Sequence, residues 1–260
     1  MRHGGLDLDF QPPDTKITRM NTLFRQMSRF NPVREYRAWL LVAAASLFTW
    51  GFVSLTGEIL EGETRHFDEA VLLSLRQSSD HAIPVGPPWL TKVMTDLTAL
   101  GGTTVLALIT LLVLVYLLLR GARRTAAFVA VSILGAWLLS SGLKLGIARP
   151  RPDLVPHLVE VYDLSFPSGH AMLSAISYLT LGALLSRIEE RPALKLFFPV
   201  TALLLTFAIG FSRVYLGVHY PTDVIGGWAA GMAWASLSWL AARRLLGHRD
   251  PAASKDGTAG

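Results

Sequence analysis

The sequence contains no cysteine. This absence excludes disulfide bonds, cysteine-ligated zinc, iron–sulfur clusters and a cysteine nucleophile. Charged residues are also scarce, at 17% of 260 residues, whereas apolar residues make up 51% and the mean hydropathy is +0.40. The charges gather in short clusters between long uncharged runs, which is typical of a protein that crosses a membrane several times. The high apolar content also excludes disorder for most of the chain.

Six runs free of Asp, Glu, Lys and Arg are each 17 to 23 residues long. A helix needs about 20 mainly apolar residues to cross the hydrocarbon core of a bilayer. The runs cover 38–57, 97–119, 125–143, 164–186, 196–212 and 224–242. Six such runs leave too few polar helix faces for a soluble surface. The sequence therefore predicts an all-α fold, a bundle of six transmembrane helices.

The positions of lysine and arginine predict the orientation of this bundle, because positive charge marks the cytoplasmic side. The two tails and the second–third and fourth–fifth connections hold 17 of the 24 basic residues. Both termini are therefore expected in the cytoplasm of a bacterial cell, in a multi-pass protein of the inner (plasma) membrane. The net charge of +5 is then mainly an orientation signal and does not indicate a nucleic-acid partner.

Three segments are predicted along the chain. Residues 1–37 form a basic cytoplasmic tail without the apolar core of a signal peptide; it is either disordered or an amphipathic helix on the inner leaflet. Residues 38–245 form the six-span domain, and residues 246–260 have the composition of a disordered tail. Apolar positions at helical spacing in 67–76 predict an additional helix at the outer interface.

Three polar clusters fall on the predicted outer side, where charged residues at span ends are a functional signal. One cluster follows the third span, one opens the fourth, and one joins the fifth and sixth. Their members are Lys144, Arg149, Arg151, Pro167, Ser168, Gly169, His170, Ser212, Arg213, His219 and Asp223. Each cluster alone also fits a structural role, as interfacial anchors, a helix N-cap or a hydrogen-bonded pair. Because all three clusters lie on the same predicted side of the membrane, we expect them to form a single functional site.

The basic residues and the helix start suggest chemistry on a phosphate group. Lys144, Arg151 and Arg213 supply three positive charges to an anion and its transition state. Ser168 and Gly169 lie at a helix N-terminus, where free backbone amides favour an anion.

Two histidines and an aspartate supply candidate catalytic groups. In a chain without cysteine, His219 is the natural nucleophile. Asp223 can accept a hydrogen bond from one of its ring nitrogens and leave the other free to attack. His170 is then the general acid for the leaving oxygen. The alternatives are a metallohydrolase and an ion path. No metal-binding motif supports the first, and for the second the charges lie at one face and no broken helix is evident.

At these residues the sequence resembles the type 2 phosphatidic acid phosphatase (PAP2) superfamily. All eleven fixed positions of its signature, K-x6-R-P, P-S-G-H and S-R-x5-H-x3-D, are matched between Lys144 and Asp223. The resemblance implies a metal-independent phosphatase, without a cofactor, that forms a phosphohistidine. It implies catalytic roles for His219, His170 and Asp223, and phosphate binding by Lys144, Arg151, Ser168, Gly169 and Arg213.

The expected activity is hydrolysis of a lipid phosphate or diphosphate on the outer, periplasmic face of the membrane. Candidate substrates are undecaprenyl diphosphate, phosphatidylglycerol phosphate and phosphatidic acid. The alternative is a phosphotransferase that passes the phosphate to a lipid acceptor, which the signature does not separate. Membrane lipids are the expected partners, and no obligate protein partner is evident.

Residues beside the signature carry further expectations. Spacing from Lys144 selects Arg151, so Arg149 either assists it or, as the preferred interpretation, anchors the chain at the interface. Gly227 and Gly231 form a small-xxx-small pair, which favours close helix packing over dimerisation.

The segment 153–166 is short and leaves little room for a lid domain. The substrate is therefore expected to enter laterally from the bilayer. Tyr162, Phe166 and Tyr215 are candidates for lining that entrance, although aromatic residues near an interface are usually belt residues.

Overall fold

A computed structural model of the chain describes residues 32–246. The expectations for residues 1–31 and 247–260, which include most of the basic N-terminal tail and the C-terminal tail, lie outside the described residues. The described residues divide into two units at the boundary between Leu40 and Leu41. All side-chain contacts described below lie within the second unit.

The described residues form eight helices and one two-stranded hairpin. The helices are α1 (Pro32–Glu61), α2 (Arg65–Ser74), α3 (Pro88–Ala99), α4 (Thr103–Leu119), α5 (Arg123–Ile147), α6 (Gly169–Ile188), α7 (Pro192–Tyr215) and α8 (Pro221–Leu246). The hairpin joins β1 (Arg76–Gln77) antiparallel to β2 (Asp80–Pro84), with Arg76 opposite Pro84. The all-α bundle is confirmed, whereas the sequence did not indicate the hairpin.

Five helices contain stretches that are long and apolar enough to cross a membrane. These stretches are Ala38–Glu61, Arg123–Ile147, Gly169–Ser186, Pro192–Tyr215 and Pro221–Arg244. They correspond to the first predicted span and to the third through sixth. Helices α3 and α4 pass the same test only as a pair, bent by 43°. Counted as one span, the pair corresponds to the second predicted span and brings the number of spans among the described residues to six.

The prediction of an unbroken second span over 97–119 is therefore wrong, and a broken helix is present after all. Helix α3 ends at Ala99 and α4 begins at Thr103. Two consecutive glycines occupy the break, and glycine is a poor helix former. A side chain at Gly101 has no room, because its Cβ would lie 2.4 Å from Cγ2 of Ile209 on α7. The break therefore lets this span lie close against α7.

Helix α6 packs mainly against α7 and α8. The contact with α8 is close at two glycines: a Cβ at Gly227 would lie 2.6 Å from the Ser168 carbonyl oxygen, and one at Gly231 would lie 2.8 Å from that of Met172. The predicted role of this glycine pair in close helix packing is confirmed. The packing holds the start of α6 beside the start of α8, where the Ser168 amide donates to the Asp223 carbonyl at 2.9 Å.

The additional helix predicted over 67–76 is present as α2. Its Leu72 is fully buried in a cluster with Val155, Val214 and Val224, so α2 packs on the end of the bundle. Asp68, one turn earlier on α2, is also fully buried.

Candidate active site

The signature residues come from four segments that meet at one end of the bundle. Helices α5 and α7 end there, and α6 and α8 begin there. A cavity of about 390 Å³ opens there, lined by residues of α3 to α7 and of the connection between α5 and α6. Five signature residues line it: Lys144, Arg151, Gly169, His170 and Arg213. Three other signature residues are buried behind the residues that line the cavity: Ser168, His219 and Asp223.

The three predicted phosphate-binding cations are held in place by hydrogen bonds. Lys144 Nζ lies 2.7 Å from Asp163 Oδ2 and donates to the Leu164 carbonyl at 2.5 Å. Arg151 donates from Nε to the Asp163 carbonyl at 2.7 Å and from Nη2 to the carboxylate of the same residue. Arg213 donates from Nη1 to Thr98 Oγ1 at 2.9 Å. The carboxylate of Asp163 therefore lies between Lys144 and Arg151.

These cations set the ionisation of Asp163. Partial burial alone raises its pKa, but the hydrogen bonds and charges of Lys144 and Arg151 outweigh burial and lower the pKa to about 2. Asp163 is therefore an anion at any physiological pH.

His219 lies in the loop between α7 and α8, with 1% of its surface exposed. Its Nε2 lies 3.2 Å from Arg151 Nη1, and its Nδ1 lies 3.4 Å from Asp223 Oδ2. Because a guanidinium can only donate, Nε2 accepts from Arg151 and the ring proton belongs on Nδ1. Burial, together with the charges of Arg151 and Arg213, lowers the pKa of His219 well below its ordinary value. The ring is thus neutral, with its lone pair on the Arg151 side.

The contact between His219 and Asp223 is an approach rather than a formed hydrogen bond, since Nδ1 has no partner of acceptable geometry. Asp223 Oδ2 instead accepts from Ser165 Oγ and from the Tyr220 amide, both at 2.8 Å. Its Oδ1 accepts from Arg149 Nη1 at 2.6 Å. The carboxylate is therefore held firmly beside the imidazole.

Arg149 belongs to this buried network, so the interpretation that it anchors the interface is wrong. Its Nη2 lies 2.7 Å from Asp68 Oδ2, and only 13% of its side chain is exposed. Asp68 also accepts from the amide and the hydroxyl of Thr222. Burial opposes the charge, but the carboxylates of Asp223 and Asp68 raise the pKa of Arg149 above its ordinary value. Arg149 thus joins α2 to the start of α8.

The start of α6 is capped as the sequence predicts. The Ser168 side chain accepts from the Ala171 amide, at 3.5 Å. Gly169 and His170 follow on the first turn, which faces the cavity. The break between α3 and α4 lies beside this turn: a Cβ at Gly102 would lie 3.9 Å from His170 Nε2.

The prediction of which aromatic residues line the entrance is only partly confirmed. Tyr162 lines the cavity and is 91% exposed. Phe166 and Tyr215 do not line it, because both are buried: Phe166 stacks on Phe52 at 5.6 Å, and the Tyr215 hydroxyl donates to the Val85 carbonyl at 2.9 Å. The other large apolar lining residues are Trp137, Val159, Val161 and Leu173.

Four site residues were missed from the sequence: Asp68, Thr98, Asp163 and Ser165. Asp68 and Thr98 are 81 and 115 residues from the arginines that they contact, so no local pattern marks them. Asp163 and Ser165 lie in the connection between two signature blocks, and that position is the one signal available for them.

Comparisons with known proteins identify the family of the chain. The model of the PAP2 superfamily matches residues 125–246, which contain the whole signature. Phosphatidylglycerophosphatase B of Bacillus subtilis (strain 168) is 35% identical over 192 residues, which cover 72% of this chain and 88% of that protein. The chain belongs to the PAP2 superfamily. It is a multi-pass membrane phosphatase of the PAP2 type.

Two other matches cover more of the chain. The crystal structure of the transmembrane PAP2-type phosphatidylglycerolphosphate phosphatase from Bacillus subtilis superposes with a TM-score of 0.68 at 29% identity, covering 79% of this chain and 98% of that one. An undecaprenyl-diphosphatase of Sulfolobus acidocaldarius is 29% identical over 210 residues, or 79% of this chain and 90% of that protein.

Proposed function

We propose that this phosphatase hydrolyses a lipid phosphate or diphosphate at the outer face of a bacterial plasma membrane, through a phosphohistidine at His219. The observation that carries the proposal is the state of His219. Its ring is neutral, its Nδ1 faces Asp223, and its Nε2 points to Arg151 in a site that holds three cations.

The reaction has two displacement steps. In the first, the Nε2 lone pair of His219 attacks phosphorus while the bond from phosphorus to the lipid oxygen breaks. Protonated His170 gives its proton to that oxygen. In the second, water attacks phosphorus, the nitrogen–phosphorus bond breaks, and His170 takes a proton from the water. Inorganic phosphate leaves and both histidines return to their first state.

The cations supply the electrostatic part of catalysis. Lys144, Arg151 and Arg213 face the transferring group, where they stabilise its developing charge. Amides at the start of α6, next to Gly169, add further donors. Because these groups provide the positive charge, we propose that no metal ion or other cofactor is required.

The substrate class is supported by the lining and by the relatives. Trp137, Val161 and Leu173 give the cavity an apolar side suited to the start of a lipid tail. Relatives are named phosphatidylglycerophosphatase B and undecaprenyl-diphosphatase, and these names make phosphatidylglycerol phosphate and undecaprenyl diphosphate the first substrates to test.

The orientation is supported by the charge pattern. Helix alternation puts the connection before α5 and the connection before α7 at the end away from the site. Arg120 and Arg191 lie in these connections, and Arg123 is the first residue of α5. Basic connections favour the cytoplasmic side, so the site faces outward.

A phosphate-release assay on the purified protein tests the function. The panel contains undecaprenyl diphosphate, phosphatidylglycerol phosphate, phosphatidic acid and a lipid A phosphate, each with and without EDTA. We expect release from at least one lipid, undiminished by EDTA, and complete loss in His219→Ala. His81→Ala, a change to an exposed histidine on β2, is the matched control and keeps full activity.

Trapping the intermediate tests the mechanism. Substrate with radiolabelled phosphate, quenched in alkali within milliseconds, is expected to leave label on the wild-type protein and none on His219→Ala. Full activity of His219→Ala would refute the assignment of His219 as the nucleophile. Transfer of label to added lipid, without release of free phosphate, would establish the phosphotransferase instead.

A further inference from the structure

A carboxylate occupies the position where the proposed function requires a phosphate. Asp163 contacts Lys144 through Oδ2, at 2.7 Å, and Arg151 through Oδ1. Both cations have only 10% of their side chains exposed, whereas 60% of the Asp163 side chain is exposed. The buried cations are thus fixed parts of the site, and the carboxylate is the part that reaches in from the surface.

We propose that Asp163 is an internal competitor of phosphate, which must leave the two cations before substrate binds and which returns to them when product phosphate departs. The inference rests on the proposed function, because it takes Lys144 and Arg151 to be the phosphate-binding groups.

The position of Asp163 makes this exchange sterically simple. The residue lies in the connection 148–168, which contains no helix or strand, and its neighbours Val161 and Tyr162 line the same cavity. The backbone stays in place, because the Asp163 carbonyl accepts from Arg151 and the Leu164 carbonyl accepts from Lys144; rotation of the exposed Asp163 side chain alone moves the carboxylate toward solvent. The connection therefore covers the site, although it is too short to form a lid domain.

The exchange also affects the nucleophile. Arg151 donates both to Asp163 and toward His219 Nε2, and the imidazole has almost no exposed surface. When phosphate takes the place of Asp163, Arg151 can bind the phosphate oxygens instead. Nη1, the nitrogen that contacts His219 Nε2, also donates to the Val218 carbonyl and stays in place, so the bound phosphate lies on the same guanidinium as the Nε2 lone pair.

The competition weakens the binding of every phosphate ligand by a similar factor. Its effect on occupancy of the site nevertheless differs between a lipid phosphate and free phosphate. A lipid phosphate adds contacts between its tail and the apolar lining, and the membrane keeps its local concentration high. Free phosphate has neither advantage. Asp163 thus keeps the resting site clear of free phosphate and speeds the release of the product.

An opposite role for Asp163 predicts the opposite result. If the carboxylate is needed to hold Lys144 and Arg151 in position, its removal weakens phosphate binding. The direction in which the affinity for phosphate changes when Asp163 is replaced therefore distinguishes the competitor role from the positioning role.

The experiment measures binding of inorganic phosphate by wild type, Asp163→Asn and Asp163→Ala. The melting temperature of each purified protein in detergent is followed against potassium phosphate at constant ionic strength, and an apparent Kd is fitted. We expect the Kd to fall about tenfold in both variants, the equivalent of one charge-assisted hydrogen bond of about 1.5 kcal/mol. Asp153→Asn removes the same charge from an exposed position of the same connection and is expected to leave the Kd unchanged.

Turnover supplies a second readout. In Asp163→Asn, the KM for the lipid and the inhibition constant for phosphate are expected to fall together, without a rise in kcat. An unchanged or higher Kd for phosphate in both Asp163 variants would overturn the inference. Because the binding measurement needs no catalysis, it still decides the role of Asp163 if every lipid proves inactive, an outcome that instead counts against the proposed function.

Discussion

Substitution of Asp68 by Asn tests the buried network behind Asp223, the proposed orienting partner of His219. Asp68 is fully buried on α2 and accepts from Arg149 at 2.7 Å and from the Thr222 hydroxyl at 2.6 Å. Asn has nearly the same shape, but it removes the negative charge opposite Arg149. Hydrogen bonds to charged groups contribute about 1.5–3 kcal/mol, and breaking a buried ion pair costs about 3–5 kcal/mol. Arg149 keeps Asp223 as a partner, so we expect a loss of about 2–3 kcal/mol in the free energy of unfolding.

The same change is expected to lower kcat and leave KM nearly unchanged. Arg149 holds Asp223, and Asp223 lies beside His219, so a looser Arg149 affects the chemical steps. Asp68 is absent from the cavity lining, so substrate binding has no direct reason to change. A denaturant titration in detergent gives the stability, and phosphate release over a range of lipid concentrations separates kcat from KM.

The neighbouring residue is a matched control. Glu69 also carries a negative charge on α2 and pairs with an arginine at 2.7 Å, but that arginine, Arg65, is 81% exposed. Surface ion pairs contribute little, so Glu69→Gln is expected to behave as wild type. Equal stability of Asp68→Asn and Glu69→Gln, with equal kcat, would refute the argument that the Asp68–Arg149 pair supports the site.

Two further changes test packing and ionisation. Gly227→Ala places a Cβ 2.6 Å from the Ser168 carbonyl oxygen, and such overpacking costs about 1–3 kcal/mol of unfolding free energy; Gly142→Ala, where no atom lies within 4 Å of the new Cβ, is the control and is expected to be neutral or stabilising. Because the pKa of Asp163 is lowered to about 2, its ion pairs are complete above the ordinary pKa and are lost only as the pH falls below that value toward 2. The ratio of phosphate Kd between wild type and Asp163→Asn should therefore stay constant from pH 5 to pH 8, and a ratio that approaches one near pH 5 would contradict this ionisation.

The parts of the fold that the sequence predicts well are those set by composition. A membrane span needs a long run without charge, and five such runs reappear as five long helices. The run over 97–119 fails as a single helix because hydropathy does not register a bend. Gly101 and Gly102 were the available signal, but no local pattern reveals the close approach of Ile209 that the break permits.

Some features of the candidate site were likewise predictable from the sequence, and others were not. Signature spacing brings Lys144, His170 and Arg213 to one cavity, as expected. Arg149 was misread because its partners are an aspartate on α2 and one on α8, and an arginine at a span end equally suits the interface. The role of Asp163 depends on how the connection folds back over the cations, which is a property of the tertiary structure.

The broken span has a consequence for how solvent reaches the chemistry. Within a membrane, an interrupted helix is tolerated only where its free backbone groups meet protein or water. The Leu100 carbonyl is satisfied by the Tyr178 hydroxyl at 2.8 Å, but Gly102 has no side chain to cap the amides at the start of α4, and Thr103 lines the cavity. These amides need hydration. Water bound to these amides would lie beside His170, the proposed general acid and base. The broken span would thus supply the water that the second step of the proposed hydrolysis consumes.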